Sequence, residues 1–208
     1  FYRTIPDIEP APAWVHDIQL NYYDYISDLG EGWYKDVEAL AQRVPAKHTG
    51  KVICCLHGYY DYVGHYGYDH ETGTLTETWD SYDAKARAIP MSIEEVHRRI
   101  AFAKQRGFRV AYYFGDGPAS DNSSPYYRED WVIRDPEGPL PTHGFWQWRP
   151  DTKDKKPVNH ILDPGNPEVR AWHLGYMNAL LAEYGRDLDA FVWDETFLIP
   201  EGQVSIAG

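Results

Sequence analysis

The chain has 208 residues and a formal net charge of −12 at pH 7, so it is long enough to bury the core of one domain. The acidic balance argues against a nucleic-acid partner, whose phosphates require a basic face, and it would repel an anionic membrane surface. No run of about 20 apolar residues occurs, so no membrane insertion is predicted. We expect one domain covering residues 1–208.

Four short segments are predicted to be β-strands, because each is mainly apolar and is bounded by Gly, Pro or polar residues. In chain order they are Trp14–Leu20, Lys51–His57, Phe108–Phe114 and Ala190–Trp193. The second strand contains the only two cysteines, Cys54 and Cys55. Neighbouring side chains on a strand point to opposite faces, so these cysteines are predicted to be small buried hydrophobes rather than a disulfide framework.

Two helices carry clear start and stop signals. The helix before the third strand begins with Ser92 and Glu95 in the spacing of a capping box, and Gly107 ends it. The helix before the fourth strand begins at Asn166–Pro167, with Asn as the cap and Pro at the first helical position. Gly185 is predicted to end this second helix.

Helices and strands alternate along the chain, with a further helix predicted over residues 32–44. This alternation predicts βαβ units and a parallel sheet with the strands in the order one to four. The segments that follow the second and third strands, residues 58–90 and 115–166, are predicted to be long loops. Loops of this length are usually functional, and these follow strand C-termini, where the active sites of α/β barrels lie.

The fourth strand ends in Trp193, Asp194 and Glu195. An apolar run that ends in two acids is typical of a buried parallel strand that presents carboxylates at its C-terminal tip. A strand tip holds a carboxylate rigidly at the end where α/β barrels carry their chemistry, so Asp194 is a candidate catalytic residue. The alternative is a carboxylate that caps the next helix or pairs with an arginine. Neighbours on a strand face opposite ways, so only one of these two acids should point into the barrel mouth. Glu195 is therefore predicted to be an ancillary substrate contact.

Just upstream, the helix start at Asp163–Trp172 contains Asn-Pro-Glu-Val-Arg. Together with the acidic strand end, it resembles the retaining glycosidases of the α-galactosidase-like barrel superfamily. The resemblance implies an α/β fold of the (β/α)8 TIM-barrel type, of which this chain holds the first four β/α units. It implies a glycoside hydrolase with Asp194 as nucleophile and an acid/base carboxylate on a later strand, outside this chain. The remaining barrel half or a partner chain would then complete the site.

The same resemblance places sugar-binding residues at the strand ends. Besides Trp193 and Glu195, the predicted substrate-binding residues are His57, Tyr59, Asp61, Tyr113 and Asp116. Two positions depart from the family pattern, because His57 replaces an acid before a glycine and Val192 replaces a lysine before the nucleophile. Both departures indicate a substrate other than a plain galactoside. Asp116, flanked by glycines, could equally be a turn residue.

Two other functions stay open. One is a carbohydrate-binding or structural module that does not cleave its ligand. The other is a metal-dependent hydrolase that uses the loop from His57 to His70, whose histidines and aspartates suit zinc or manganese. The spacing matches no established metal motif, so no metal ligand and no cofactor is predicted. Carbohydrate is the predicted partner. The sequence assigns no compartment, with a periplasmic or extracellular one slightly favoured.

Overall fold

A computed structural model of the chain describes residues 10–25, 30–57, 59, 67–82, 88–116, 119–121, 124–133 and 159–194. Within these residues the strands are β1 (Leu20–Tyr25), β2 (Val52–His57), β3 (Tyr68–Asp69), β4 (Thr74–Leu75), β5 (Thr78–Tyr82), β6 (Ala88–Ser92), β7 (Arg109–Asp116), β8 (Ala119–Asp121), β9 (Asn159–Ile161) and β10 (Ala190–Asp194). The α-helices are α1 (Gly32–Arg43), α2 (Ile93–Gln105) and α3 (Pro167–Tyr184), and short 3₁₀ helices cover Ala13–Asp17, Ala46–Lys51 and Glu129–Trp131.

A four-stranded parallel sheet forms the centre of the fold. Its strand order is β1-β2-β7-β10, and each neighbouring pair is parallel. The other strands form three antiparallel pairs, β3 with β4, β5 with β6, and β8 with β9. The central sheet confirms the predicted parallel arrangement and strand order.

The predicted helix caps are present. Ser92 Oγ accepts a hydrogen bond of 3.0 Å from the Glu95 backbone N–H, and Asn166 Oδ1 accepts one of 2.9 Å from the Glu168 N–H. Each bond satisfies a backbone donor that the first helical turn leaves without an intrahelical acceptor. No helix in the described part of the chain is long and apolar enough to cross a bilayer.

The two faces of the sheet have different surroundings. Cys54 and Leu56 of β2 and Val110 and Tyr112 of β7 belong to the core that the helices cover. The alternate residues, Cys55, Ala111 and Tyr113, are also buried but lie on the opposite face, because side chains alternate along a strand. Cys54 and Cys55 are both free thiols, as expected for residues on opposite faces.

Gly107 ends helix α2 in a Schellman motif. Its N–H donates to Lys104 O over 2.9 Å, and the Phe108 N–H donates to Ala103 O over 3.2 Å. The φ of Gly107 is +79°, and a Cβ at this position would lie 2.6 Å from Thr49 Oγ1. The turn that leads from α2 into β7 therefore requires a glycine both for its backbone conformation and for its close approach to Thr49.

Replacing Gly107 with Ala is expected to lower the free energy of unfolding. A left-handed backbone costs a residue with a Cβ about 1–2 kcal/mol, and the contact with Thr49 adds to this cost. Urea denaturation of the full-length protein measures the difference. Gly50→Ala is the matched control, because nothing lies within 4 Å of a Cβ there and no positive φ is required. Equal destabilisation by the two changes would contradict the prediction.

The first strand lies later in the chain than predicted. Trp14 to Asp17 belong to a 3₁₀ helix that follows Pro12, and β1 begins only at Leu20. The Val15 N–H donates to Pro12 O, which closes the first turn of this helix. β1 is an outer strand of the described sheet, and Leu20 and Tyr23 are partly exposed on it. Its sequence therefore lacks the continuous apolar run that marked the inner strands.

The two long segments after β2 and β7 are not simple loops. The first contains the antiparallel pairs β3–β4 and β5–β6, and the second contributes β8, β9 and the 3₁₀ helix at Glu129–Trp131. These strands are two to five residues long and rich in polar residues, so their apolar periodicity is weak.

Candidate functional site

The carboxyl ends of the four parallel strands meet at one edge of the sheet, which we call the rim. β2 ends at His57, β7 at Asp116 and β10 at Asp194. Asp194 and Asp116 are direct partners in the β10–β7 ladder. The main chain therefore brings these two predicted site residues side by side, at the end of a parallel sheet where α/β barrels carry their chemistry.

An irregularity in the ladder produces this pairing. Val192 pairs with Tyr113, and the register shifts before Asp194 pairs with Asp116. β10 advances two residues between these pairs while β7 advances three, so β7 carries one extra residue near Gly115. Bulges of this kind re-aim residues at barrel rims, and glycine is common in them. For Asp116, Trp193 and Asp194 the structure describes the position of the main chain in these strands.

Three aromatic rings cluster next to the rim on the sheet face opposite the helices. The ring centroids of His57 and Tyr113 are 4.0 Å apart, and Tyr23 lies 4.8 Å from His57 and 6.1 Å from Tyr113. His57 and Tyr113 are buried, whereas Tyr23 is 44% exposed. This set, the rim cluster, offers ring faces together with imidazole and phenol groups, a combination that suits sugar surfaces.

Tyr59 lies elsewhere, although the sequence analysis grouped it with His57. Its ring packs 5.6 Å from that of Tyr112, a residue of the helix-covered face, and its hydroxyl accepts a hydrogen bond of 3.4 Å from Arg99 Nη1. Burial raises the pKa of Tyr59 well above its usual value. The Tyr59 side chain is therefore a core residue in this arrangement, and its contact with substrate stays a prediction.

Asp61 and Glu195 lie outside the described residues, so their substrate contacts also stay predictions. Tyr23 was missed because the first strand was placed too early in the chain. The sequence Leu-Asn-Tyr-Tyr-Asp-Tyr at 20–25 holds three tyrosines, a residue type that is enriched in strands, and this signal could have identified it.

Asp189 fixes the start of β10 and so the position of Asp194 on the rim. Asp189 Oδ2 accepts hydrogen bonds from Lys104 Nζ at 2.6 Å and from the Val110 N–H at 2.9 Å, and Oδ1 accepts from Arg109 Nη1 at 2.9 Å. Burial acts to raise the pKa of Asp189, but these bonds outweigh it and hold the pKa below its usual range. The carboxylate thereby ties β10 to β7 and to the end of α2.

The histidines of the segment from 57 to 70 do not converge as far as they are described. His57 lies in the rim cluster, whereas His70 stacks on Trp172 of α3 with a centroid distance of 5.0 Å and an interplanar angle of 18°. Nowhere in the described part of the chain do three or more His, Cys, Asp or Glu side chains come together in a group that could hold a metal ion. Asp61 and the third histidine of this segment, His65, lie outside them.

Comparison with known proteins gave structural matches only. No family model matches the chain, and no curated protein sequence matches it. A glucanotransferase from Paenibacillus sp., solved with cycloisomaltoheptaose, has a TM-score of 0.59 at 11% identity, covering 92% of this chain and 25% of that one. The isomaltulose synthase of Protaminobacter rubrum has a TM-score of 0.50 at 16% identity, covering 89% of this chain and 36% of that one.

At these identities the likeness shows the fold. The chain has an α/β fold of the TIM-barrel type, shared with glycoside hydrolase barrels, as predicted. It spans about a quarter to a third of the length of these two solved structures. Neither match is an α-galactosidase, so the comparison does not support the finer resemblance to the α-galactosidase-like superfamily.

Proposed function

We propose that the protein is a glycoside hydrolase whose nucleophile is Asp194. The observation that carries the proposal is the pairing of Asp194 with Asp116 at the rim, beside the rim cluster, in a fold shared with carbohydrate-active barrels. In that fold the ends of the parallel strands carry the catalytic residues. The two similar structures are named as a glucanotransferase and an isomaltulose synthase, and these names support carbohydrate as the substrate class here.

The position of Asp194 suits a nucleophile. It follows Val192 by two residues on β10, and Val192 pairs with Tyr113 of the rim cluster. The strand that bears it is anchored at its start by Asp189. A carboxylate fixed on a rigid strand can be aimed at an anomeric carbon without losing conformational freedom during the reaction.

In the proposed retaining reaction, the Asp194 carboxylate attacks the anomeric carbon and forms a glycosyl ester. The glycosidic bond breaks, and its oxygen leaves as an alcohol after taking a proton from a second carboxylic acid. That second group, now a carboxylate, removes a proton from water, which hydrolyses the ester and regenerates Asp194. The acid/base residue is proposed to lie outside this chain, on the remaining barrel half or a partner chain.

His57, Tyr113 and Asp116 are the proposed contacts to sugar hydroxyls, because they lie at or near the carboxyl ends of β2 and β7, and β7 pairs directly with β10. Trp193 of β10 is a further proposed contact, as are Asp61 and Glu195, which follow β2 and β10 in the chain. An imidazole can donate and accept hydrogen bonds, so His57 can bind a sugar hydroxyl at a position where the family pattern has an acid. From the α-galactosidase-like resemblance this proposal keeps the retaining mechanism and does not keep galactosides as the substrate.

Replacing His57 with Phe in the full-length protein is expected to weaken substrate binding about tenfold. The ring is retained, but a hydrogen bond to a sugar hydroxyl, worth about 1–1.5 kcal/mol, is lost. The readout is kcat and KM on the best substrate from a panel of 4-nitrophenyl glycosides, with the product anomer identified by NMR. We expect retained configuration and a raised KM.

His16→Phe is the matched control, because His16 is exposed in the 3₁₀ helix before β1. Binding of sugars without turnover in the complete protein would favour the non-catalytic carbohydrate-binding module instead. Product of inverted configuration would end the retaining mechanism, and an unchanged KM for His57→Phe would remove His57 from the site.

A further inference from the structure

A second cleft lies away from the rim, on the helix side of the sheet. It has a volume of about 800 Å³, within the range of about 300–1,000 Å³ usual for ligand sites. The β5–β6 hairpin, the first half of α2 and the turn at Gly30–Glu31 enclose it. We call it the hairpin cleft, and its principal side chains are Glu31, Trp79, Asp80, Arg98 and Arg99.

Trp79 is held in place on the wall of this cleft. Its Nε1–H donates to Tyr59 O over 2.8 Å, and its ring lies so close to Gly67 that a Cβ there would approach the ring to 3.1 Å. The indole is thus fixed through its N–H and by the backbone of Gly67, while it lines the cleft and remains partly exposed. A ring held this way can stack on a ligand at little cost in side-chain entropy.

Arg98 also lines the cleft and offers hydrogen-bond donors there. Its Nε donates to Glu95 Oε2 over 2.7 Å and its Nη2 to Glu31 Oε1 over 2.9 Å, and its guanidinium lies 4.6 Å from the Tyr34 ring centroid. These bonds use two of the five N–H donors of an arginine, and the side chain is 54% exposed. The guanidinium is therefore oriented but can still donate to a ligand in the cleft.

The charges of the cleft balance closely. Glu31, Asp80 and Glu95 oppose Arg98 and Arg99, and Arg99 lies buried beneath, ion-paired to Glu95 at 2.6 Å. Such a surface neither concentrates anions nor attracts cations strongly. It presents acceptors and donors side by side, and a polyol uses both because each hydroxyl can donate and accept.

From the fixed indole, the oriented guanidinium and the exposed acids, we propose that the hairpin cleft binds a neutral oligosaccharide at a site separate from the rim. The site lies on the helix layer, whereas the rim cluster lies on the opposite face of the sheet. Asp194 takes no part in it, so the proposal does not depend on the proposed catalytic mechanism.

The test is calorimetric titration of the full-length Asp194→Asn protein with maltoheptaose, isomaltoheptaose and cellohexaose, with trigalacturonic acid as an anionic probe. We expect at least one neutral oligomer to bind at the cleft, with an affinity at least tenfold weaker in Arg98→Ala and in Trp79→Ala. The anionic probe should bind more weakly than the neutral oligomers. Two variants are used because Trp79→Ala removes part of the hairpin packing, whereas Arg98 is a surface residue.

Arg128→Ala is the matched control, because Arg128 is also paired with two acids and lies over an aromatic ring, Trp131, far along the chain from the cleft. Unchanged binding in Arg98→Ala, or no binding of any neutral oligomer at millimolar concentration, would overturn the proposal. Binding that His57→Phe weakens but Arg98→Ala does not would assign the sugar to the rim alone. Binding at the cleft in a protein without glycosidase activity would contradict the proposed function but support this inference.

Discussion

Asp194→Asn is expected to reduce kcat of the full-length protein by a factor on the order of 10⁴ or more, because Asp194 is the proposed nucleophile and this is the usual loss when a member of a catalytic set is removed. The amide keeps the size and shape of the carboxylate but lacks its charge and cannot form the glycosyl ester. Because Asn and Asp have nearly the same size and shape, the thermal unfolding midpoint should change little. Turnover of an activated aryl glycoside and the unfolding midpoint, measured on the same preparation, check the two parts of this expectation.

Added azide should partly restore turnover of the variant, because a small anion can attack from the space that the carboxylate leaves. Asp187→Asn is the control, since Asp187 is an exposed acid near the other end of the same strand. Near-normal activity of Asp194→Asn would transfer the nucleophile's role to Glu195 or end the retaining mechanism. Equal losses of kcat in Asp194→Asn and Asp187→Asn would indicate a general effect of removing a negative charge rather than a catalytic role of residue 194.

Glu95→Gln is expected to cost the protein about 3 kcal/mol of stability, the lower end of the loss when a buried ion pair loses one partner. Glu95 Oε1 accepts hydrogen bonds from Arg99 Nε at 2.6 Å and from the Tyr34 hydroxyl at 2.9 Å, and Oε2 accepts from Arg98. The Arg99 side chain is only 3% exposed. The substitution would leave this guanidinium buried without its counter-charge, and urea unfolding measures the loss.

Glu94→Gln is the matched control, because Glu94 is the exposed neighbour in the same helical turn and should change stability by about 0.5 kcal/mol at most. Replacing Arg99 with Met in the Glu95→Gln background should recover part of the loss, because no buried charge then lacks its partner. A Glu95→Gln protein as stable as the Glu94→Gln protein would show that Arg99 is stabilised by other groups.

The same carboxylate makes stability depend on pH. Burial acts to raise the pKa of Glu95, but the bonds from Arg98, Arg99 and Tyr34 outweigh it and lower the pKa below its usual range. A group whose pKa is lower in the folded state contributes its stabilisation above the unfolded pKa of about 4.3 and loses it as pH falls through the folded value. The difference between wild-type and Glu95→Gln stability should therefore shrink below about pH 4.

Local sequence signals predicted the inner part of the fold well. β2 and β7 are apolar because both of their faces are covered, and the Ser92 and Asn166 caps fix the starts of α2 and α3 through single side-chain bonds. These features depend on neighbours in the chain. Strand β1 was misplaced because its sequence, Leu-Asn-Tyr-Tyr-Asp-Tyr, lacks an apolar run, and its position is set by pairing with β2.

The site was predictable only in part for a related reason. The apolar segment before Asp194 indicates that this residue lies at a strand tip. The pairing of Asp194 with Asp116, however, depends on an extra residue in β7, which the local sequence pattern does not predict. Likewise, His57 and Tyr59 are only two residues apart in the chain. His57 lies on the rim-cluster face of the sheet, whereas Tyr59 packs on the helix-covered face and accepts a hydrogen bond from Arg99. Contacts between residues 40 or more positions apart decided these outcomes, and local periodicity carries no information about them.

The adjacent thiols of β2 offer two separate reporters of local opening. Burial raises the pKa of both Cys54 and Cys55 to about 12, so little thiolate is available to a labelling reagent while the sheet is closed. A variant that keeps only Cys54 would be labelled when the helix layer opens, and one that keeps only Cys55 when the opposite face opens. Comparing the two labelling rates, with and without oligosaccharide, would show which layer of the protein a bound ligand holds shut.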